Sequence, residues 1–157
     1  MRAVHIAALA MLLGILGAGG TAHAEEVRVA KPNLIGGELG GRGLIVTANY
    51  ERYFNDHIGI GLGIVPGSPL IWTMYVSCLP GDVHSLYLSA GATSFDRHFL
   101  GEDLGSSASF DVAVGYQYQS PGGVVIRPFG MLWFAHPLYE DRTWVLPWVG
   151  LTIAHSF

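Results

Sequence analysis

The sequence predicts an all-β fold, an eight-stranded antiparallel up-and-down transmembrane β-barrel. Three observations predict it. After Lys31-Pro32 apolar residues recur with period two through successive stretches, the mark of strands with one apolar and one polar face. The connections alternate in character, with tight Asx/Pro/Gly turns on one side and both long loops on the other. The charged residues within the strands sit on the minority polar faces, and closing such faces inward is reasonable only where lipid is the outer solvent.

The elements follow in order. Residues 1–24 read as a cleaved signal peptide, with Arg2 as the positive start, an apolar run from Ile6 to Leu16 and the small-x-small site Ala22-His23-Ala24. The run is too short to span a bilayer as a helix. Residues 25–32 then form a short periplasmic N-terminal segment, and 33–157 the barrel domain. Strands are expected at 33–40, 43–54, 57–65, 70–79, 83–94, 106–119, 124–133 and 145–157. Most have about the 9–11 residues that a tilted strand needs to cross a membrane.

The first strand is short and carries Glu38. In the second, Ile45, Thr47, Asn49 and Glu51 share one face. The third sets Ile58, Ile60, Leu62 and Ile64 against Gly59, Gly61 and Gly63, and the fourth places Thr73 and Ser77 opposite the lipid-facing Cys78. In the fifth, Leu86, Leu88, Ala90 and Ala92 oppose Ser85, Tyr87, Ser89 and Thr93. The sixth is the clearest, with Phe110, Val112, Val114, Tyr116 and Tyr118 against Asp111, Ala113, Gly115, Gln117 and Gln119. Arg127 lies on the polar face of the seventh; Val149, Leu151, Ile153, His155 and Phe157 form the apolar face of the eighth. Gly41-Arg42 reads as a two-residue turn; Asn55-Asp56-His57, Pro80-Gly81-Asp82 and Pro121-Gly122-Gly123 read as three-residue turns, which keep odd positions facing odd positions. The long connections are 95–105 and 134–144.

An eight-stranded barrel is narrow enough for side chains to fill it. Glu38, Glu51, Asp111, Gln117 and Arg127 are therefore expected to form a structural polar network inside, with Arg127 opposite Gln117 and no open pore. Arg127 is the one cation assigned there against three carboxyls, so at least one interior carboxyl with a raised pKa or with access to lumenal water is expected. Glycines on the inner face leave room for large neighbours such as Tyr87 or Phe129. Aromatic residues divide into two belts: Tyr50, Tyr53, Phe54, Tyr116, Tyr118 and Phe157 near one rim, and Trp72, Phe95, Phe110, Trp133, Phe134, Trp144 and Trp148 near the other.

Composition narrows the function. A chain of 157 residues with formal charge −4 has room for one domain and no basic patch for nucleic acid. Its single cysteine rules out an internal disulfide framework. Clustered reactive side chains occur only in the two long loops: Asp96, Arg97, His98, Glu102 and Asp103 in the first, His136, Glu140, Asp141 and Arg142 in the second. They read as solvated acidic loops and as candidates for surface interaction, without the spacing of a metal motif. His84-Ser85 and His155-Ser156 are adjacent pairs whose side chains must face opposite sides of a strand; His98 with Ser94 or Ser106 is the arrangement that leaves an enzyme open.

With the ten-residue end WVGLTIAHSF, the segments ANYERYF (48–54) and VGYQYQ (114–119), the chain resembles the small eight-stranded outer-membrane β-barrel proteins of Gram-negative bacteria, of the OmpA/OmpX type, over about 33–157. The resemblance implies a bacterial outer-membrane location and outer-membrane lipid and lipopolysaccharide as surroundings. It also implies that Phe157 belongs to the signal read by the barrel assembly machinery; His155 departs from the aromatic or aliphatic residue more usual at its place. The expected role is non-catalytic, envelope structure or surface interaction through the two long loops, with no cofactor, metal or catalytic residue assigned. The alternatives are a narrow pore or small-molecule conduit, a lipid A-modifying acyl hydrolase or transferase, and a soluble periplasmic β-protein.

Overall fold

The computed structural model describes residues 24–43, 45–66, 68–96, 106–135 and 144–157. A short helix, α1 (Ala24–Ala30), precedes eight strands: β1 (Asn33–Gly40), β2 (Val46–Tyr53), β3 (Ile58–Val65), β4 (Ser68–Cys78), β5 (His84–Asp96), β6 (Ser106–Gln119), β7 (Val124–Ala135) and β8 (Trp144–Ser156). Each strand pairs antiparallel with its neighbours in sequence, and β1 pairs with β8, so the sheet closes into an up-and-down barrel as expected. One end carries the chain termini of the barrel and the three tight turns (the turn end); the other carries the long connections (the loop end). The expected signal peptide lies outside the described residues except for Ala24, which opens α1.

Alternation fixes the two faces. In β2 every second residue from Thr47 to Tyr53 is buried, and in β6 Phe110, Val112 and Val114 face outward while Asp111, Gln117 and Gln119 face inward. The core is therefore the barrel interior, and its apolar members, such as Leu34, Leu79, Val125 and Phe129, share it with charged side chains. Cys78 faces outward.

Three turn assignments are tested by register. Asn55 to His57 forms a three-residue turn, with the Phe54 N–H donating to the Ile58 carbonyl at 2.9 Å and the Asn55 side-chain oxygen accepting the N–H groups of His57 and Ile58. Pro121 to Gly123 does the same, with Ser120 N–H to the Val124 carbonyl at 2.8 Å and Gly123 at φ +97°. Pro80 to Asp82 does not. Cys78 pairs with Leu88, four residues beyond a three-residue turn, and the start of β5 pairs only with β6. Leu79 instead donates its N–H to the His57 carbonyl at 2.7 Å.

The first connection also differs from its expected two-residue form. Gly40 and Gly41 both adopt the left-handed conformation, φ +66° and +68°, and lead into a 3-10 turn at Gly41–Gly43. Leu39 pairs with Val46, and the Gly40 N–H reaches the Ile45 carbonyl at 2.8 Å. Register here is two residues from the expected one, and the β4–β5 register four. Even shifts leave every side chain on its predicted face, which is why the faces survive both differences. Ile45 is the exception: it lies in the connection, beyond the ladder, and is 78% exposed rather than aligned with Thr47.

The wall has unequal height. β1 stops at Gly40 opposite Gly150, so Trp144 to Val149 of β8 pair with β7 only. Asn33 and Phe157 exchange both backbone bonds, so the odd residues of β8 face β1, and Pro147, which has no N–H, falls on the open side. Pro128 interrupts the β6–β7 ladder: pairing lapses between Gly115/Phe129 and Tyr118/Ile126, where Pro128 cannot donate.

Inward glycines of β3 admit aromatic rings. A Cβ at Gly61 would lie within the Tyr75 ring, and one at Gly59 would crowd Tyr53. Phe129 fills the space over Gly150, as expected, whereas the β3 glycines make room for Tyr75 and Tyr53 rather than Tyr87. Gly61→Ala should therefore destabilise the fold by about 1–3 kcal/mol through overpacking. Gly37→Ala, whose Cβ would meet only a carbonyl at 3.9 Å, should change stability by less than ~1 kcal/mol. Equilibrium unfolding in urea separates the two.

Candidate functional site

Five residues assigned to the interior from sequence, Glu38, Glu51, Asp111, Gln117 and Arg127, all point inward and are at most 2% exposed. They divide between two clusters, one at mid-barrel and one near the loop end.

At mid-barrel, the Arg127 guanidinium meets a Glu51 carboxylate oxygen at 2.8 Å. The Pro121–Gly123 turn brings Gln117 opposite, and Arg127 Nε donates to its Oε1 at 2.7 Å. Nη2 also donates to the Tyr53 hydroxyl at 3.1 Å, and the guanidinium lies 4.2 Å from the centre of the Tyr87 ring. Glu51 accepts further bonds from the hydroxyls of Tyr75, at 3.2 Å, and Ser77. Gln117 continues the network to Gln119, and Gln119 to Ser156. Each member restrains the next, so the buried ions are both paired and hydrogen-bonded.

Near the loop end, the inward turn after Gly40-Gly41 delivers Arg42 into the barrel, 1% exposed. Its Nε meets Asp111 at 2.9 Å, Nη1 lies 3.8 Å from Glu38, and Nη2 donates to Ser89. The guanidinium stacks 4.3 Å from the centre of the Tyr75 ring. Glu38 accepts the Arg42 backbone N–H at 2.7 Å and the Asn49 amide at 3.3 Å. Arg42 thus corrects the expectation that Arg127 is the one interior cation.

Arg28 is a second correction. It projects from α1 into the turn end, donating to the carbonyls of Asp56, Leu79, Gly81 and Asp82. The described residues therefore place three arginines against three interior carboxylates. Among the described residues this removes the charge imbalance inferred from the strands alone. Neither arginine lies in a strand, so alternation gives no hint of its direction. The signal available for Arg42 was the pair of glycines before it, next to an interior short of positive charge.

Two aromatic assignments also change. Tyr53 and Trp133, placed at the rims by chain position, are interior. Tyr53 shares the parity of Glu51, and Trp133 that of Arg127; Trp133 donates its indole N–H to Ser109. Phe110, Trp72, Tyr50 and Phe54 face outward.

Ser77 donates to Glu51 Oε1, but both residues are inaccessible to solvent, and Oε2 is held by Arg127 and Tyr75. In the adjacent pairs, His84 and His155 face out while Ser85 and Ser156 face in. His84 Nδ1 instead meets the Tyr116 hydroxyl on the outer surface, between the Tyr116 and Tyr118 rings. Among the described residues no group of three or more His, Cys, Asp or Glu side chains converges on a metal position.

Of the loop candidates, Asp96 ends β5, paired through its backbone with Ser106. Arg97, His98, Glu102, Asp103, His136, Glu140, Asp141 and Arg142 lie outside the described residues. Phe157 follows β8, bonds through its backbone to Asn33 and exposes its ring.

Removing one partner of the mid-barrel pair leaves a buried charge without compensation. Arg127→Met should destabilise the fold by about 3–5 kcal/mol, and a second change, Glu51→Leu, should recover a large part of that loss. A double-mutant cycle in urea checks it; additive losses would mean that the two side chains are not coupled.

Comparison with known proteins finds no matching family model, no matching curated protein and no matching solved structure.

Proposed function

We propose that the chain is an integral β-barrel of the bacterial outer membrane, of the small eight-stranded kind, with a non-catalytic role in the envelope. The observation that carries this reading is the inverted polarity of a closed barrel. Ionised side chains fill the inside, while residues such as Leu62, Phe110, Val114 and Val149 stand exposed around the outside, Val149 at 74%. A soluble barrel of this size would leave an outer apolar surface far larger than water-soluble monomers carry. In lipid the same surface is favourable, and closure satisfies the strand hydrogen bonds within the wall.

The filled interior supports a structural rather than a conducting role. Arg42, Tyr75, Arg127, Glu51 and Tyr53 occupy the barrel from the loop end toward the turn end, held by mutual contacts. Specific interaction then falls to the long connections at 95–105 and 134–144. Lipid and lipopolysaccharide surround the apolar wall, and the exposed ring of Phe157 at the end of the barrel suits recognition by an assembly machinery.

The test is the mobility of the membrane fraction in SDS, boiled against unboiled, with carbonate extraction alongside. The expected result is a heat-dependent shift with retention in carbonate-washed membranes, and no unitary conductance in planar bilayers. Release by carbonate without a shift would favour a soluble β-protein; stable unitary conductance would favour a pore.

A further inference from the structure

We propose that the segment from Glu25 to Pro32 is a tethered plug: Arg28 is its ligand, the carbonyls of two turns are its socket, and its seating separates the lower interior from water at the turn end. The inference does not depend on which solvent surrounds the barrel.

The segment touches all three connections at the turn end. Arg28 donates to the Asp56 carbonyl in the β2–β3 turn and to the Leu79, Gly81 and Asp82 carbonyls in the β4–β5 turn, the Gly81 contact at 2.6 Å. Lys31 reaches the Pro121 carbonyl of the β6–β7 turn at 3.3 Å. The Pro32 carbonyl accepts the Tyr53 N–H at 2.7 Å, which joins the segment to the wall. The unexpected register of β4 and β5 gains its purpose here, because the wider turn supplies three of the four carbonyls around the guanidinium.

The socket suits a guanidinium in particular. Every hydrogen-bond acceptor it offers Arg28 is a backbone carbonyl, spread over two turns, and a planar fork of donors spans them as a point-charge ammonium cannot. Burial lowers the pKa of Arg28 from the ordinary arginine value against the opposing pull of Asp82 and Asp56, and an arginine side chain stays protonated in a protein, so it enters charged. Val29 and Ala30 are exposed, and a helix of seven residues has no stability of its own. Losing the Arg28 contacts should release α1 while the closed barrel, whose strand pairing begins at Asn33, remains.

Just inside the plug lies Ser85, 2% exposed, its hydroxyl accepting the Gly81 N–H. With Cys78 replaced by Ala, Ser85→Cys supplies a single thiol whose reaction with a charged, water-soluble maleimide reports access from the turn end. The measurement uses the full chain in detergent micelles, with the heat-dependent gel shift as the check on folding. Arg28→Ala should raise the labelling rate about tenfold or more with the compact form retained. Arg28→Lys should not restore protection, and added methylguanidinium should slow labelling of Arg28→Ala but not of the parent protein. Equal rates in the compact forms of parent and Arg28→Ala would overturn the proposal, as would rapid labelling of the parent. Where the alanine variant loses the compact form, Arg28→Gln gives the same comparison; loss of that form in both would show that the segment is part of the barrel fold and not a separable plug.

Discussion

The contact between Glu51 and Arg127 is the constraint around which the interior is arranged. Two opposite charges enclosed in a barrel are tolerable only when paired and fully hydrogen-bonded, and removing either leaves the other stranded. Gln117, Tyr53, Tyr75 and Ser77 supply the remaining bonds, and the Tyr87 ring covers the guanidinium. The Tyr53 and Tyr75 rings need volume in a narrow barrel, and Gly59 and Gly61 of β3 provide it. The alternate glycines of β3 are the complement of the tyrosines.

The same logic governs both ends. Arg42 and Arg28 enter from segments outside the strands, and each brings positive charge to acceptors that the wall presents. Arg42 answers Glu38 and Asp111; Arg28 answers a ring of carbonyls. Stacking of Arg42 on Tyr75, which itself donates to Glu51, joins the loop-end cluster to the mid-barrel pair. Among the described residues the interior is balanced in formal charge, so the acidic excess of the chain resides elsewhere.

The wall itself carries two interruptions with one cause. Proline removes a donor wherever its nitrogen faces a neighbour. At Pro128 the neighbour is present and pairing lapses; at Pro147 no neighbour is paired among the described residues, and the missing donor leaves the open edge of β8 poorly suited to template another strand. The low side of the barrel is the side where the chain turns inward at Gly40-Gly41 to seat Arg42. Height was given up there for charge compensation within.

How much was legible in the sequence follows from the range of each rule. Side chains in a strand alternate whatever lies beside them, so Glu38, Glu51, Asp111, Gln117 and Arg127 could be placed inward from sequence, and even-numbered register differences left them there. Tyr53 carried the same parity signal as Glu51 and was misplaced by position along the chain instead. What only the tertiary structure decided is what alternation does not reach: the direction of Arg42 in a turn shaped by two left-handed glycines, the docking of Arg28 from a helix with no independent stability, and the wide β4–β5 turn that receives it. Face is a local property of an extended chain, whereas a partner across the interior exists only once the barrel has closed.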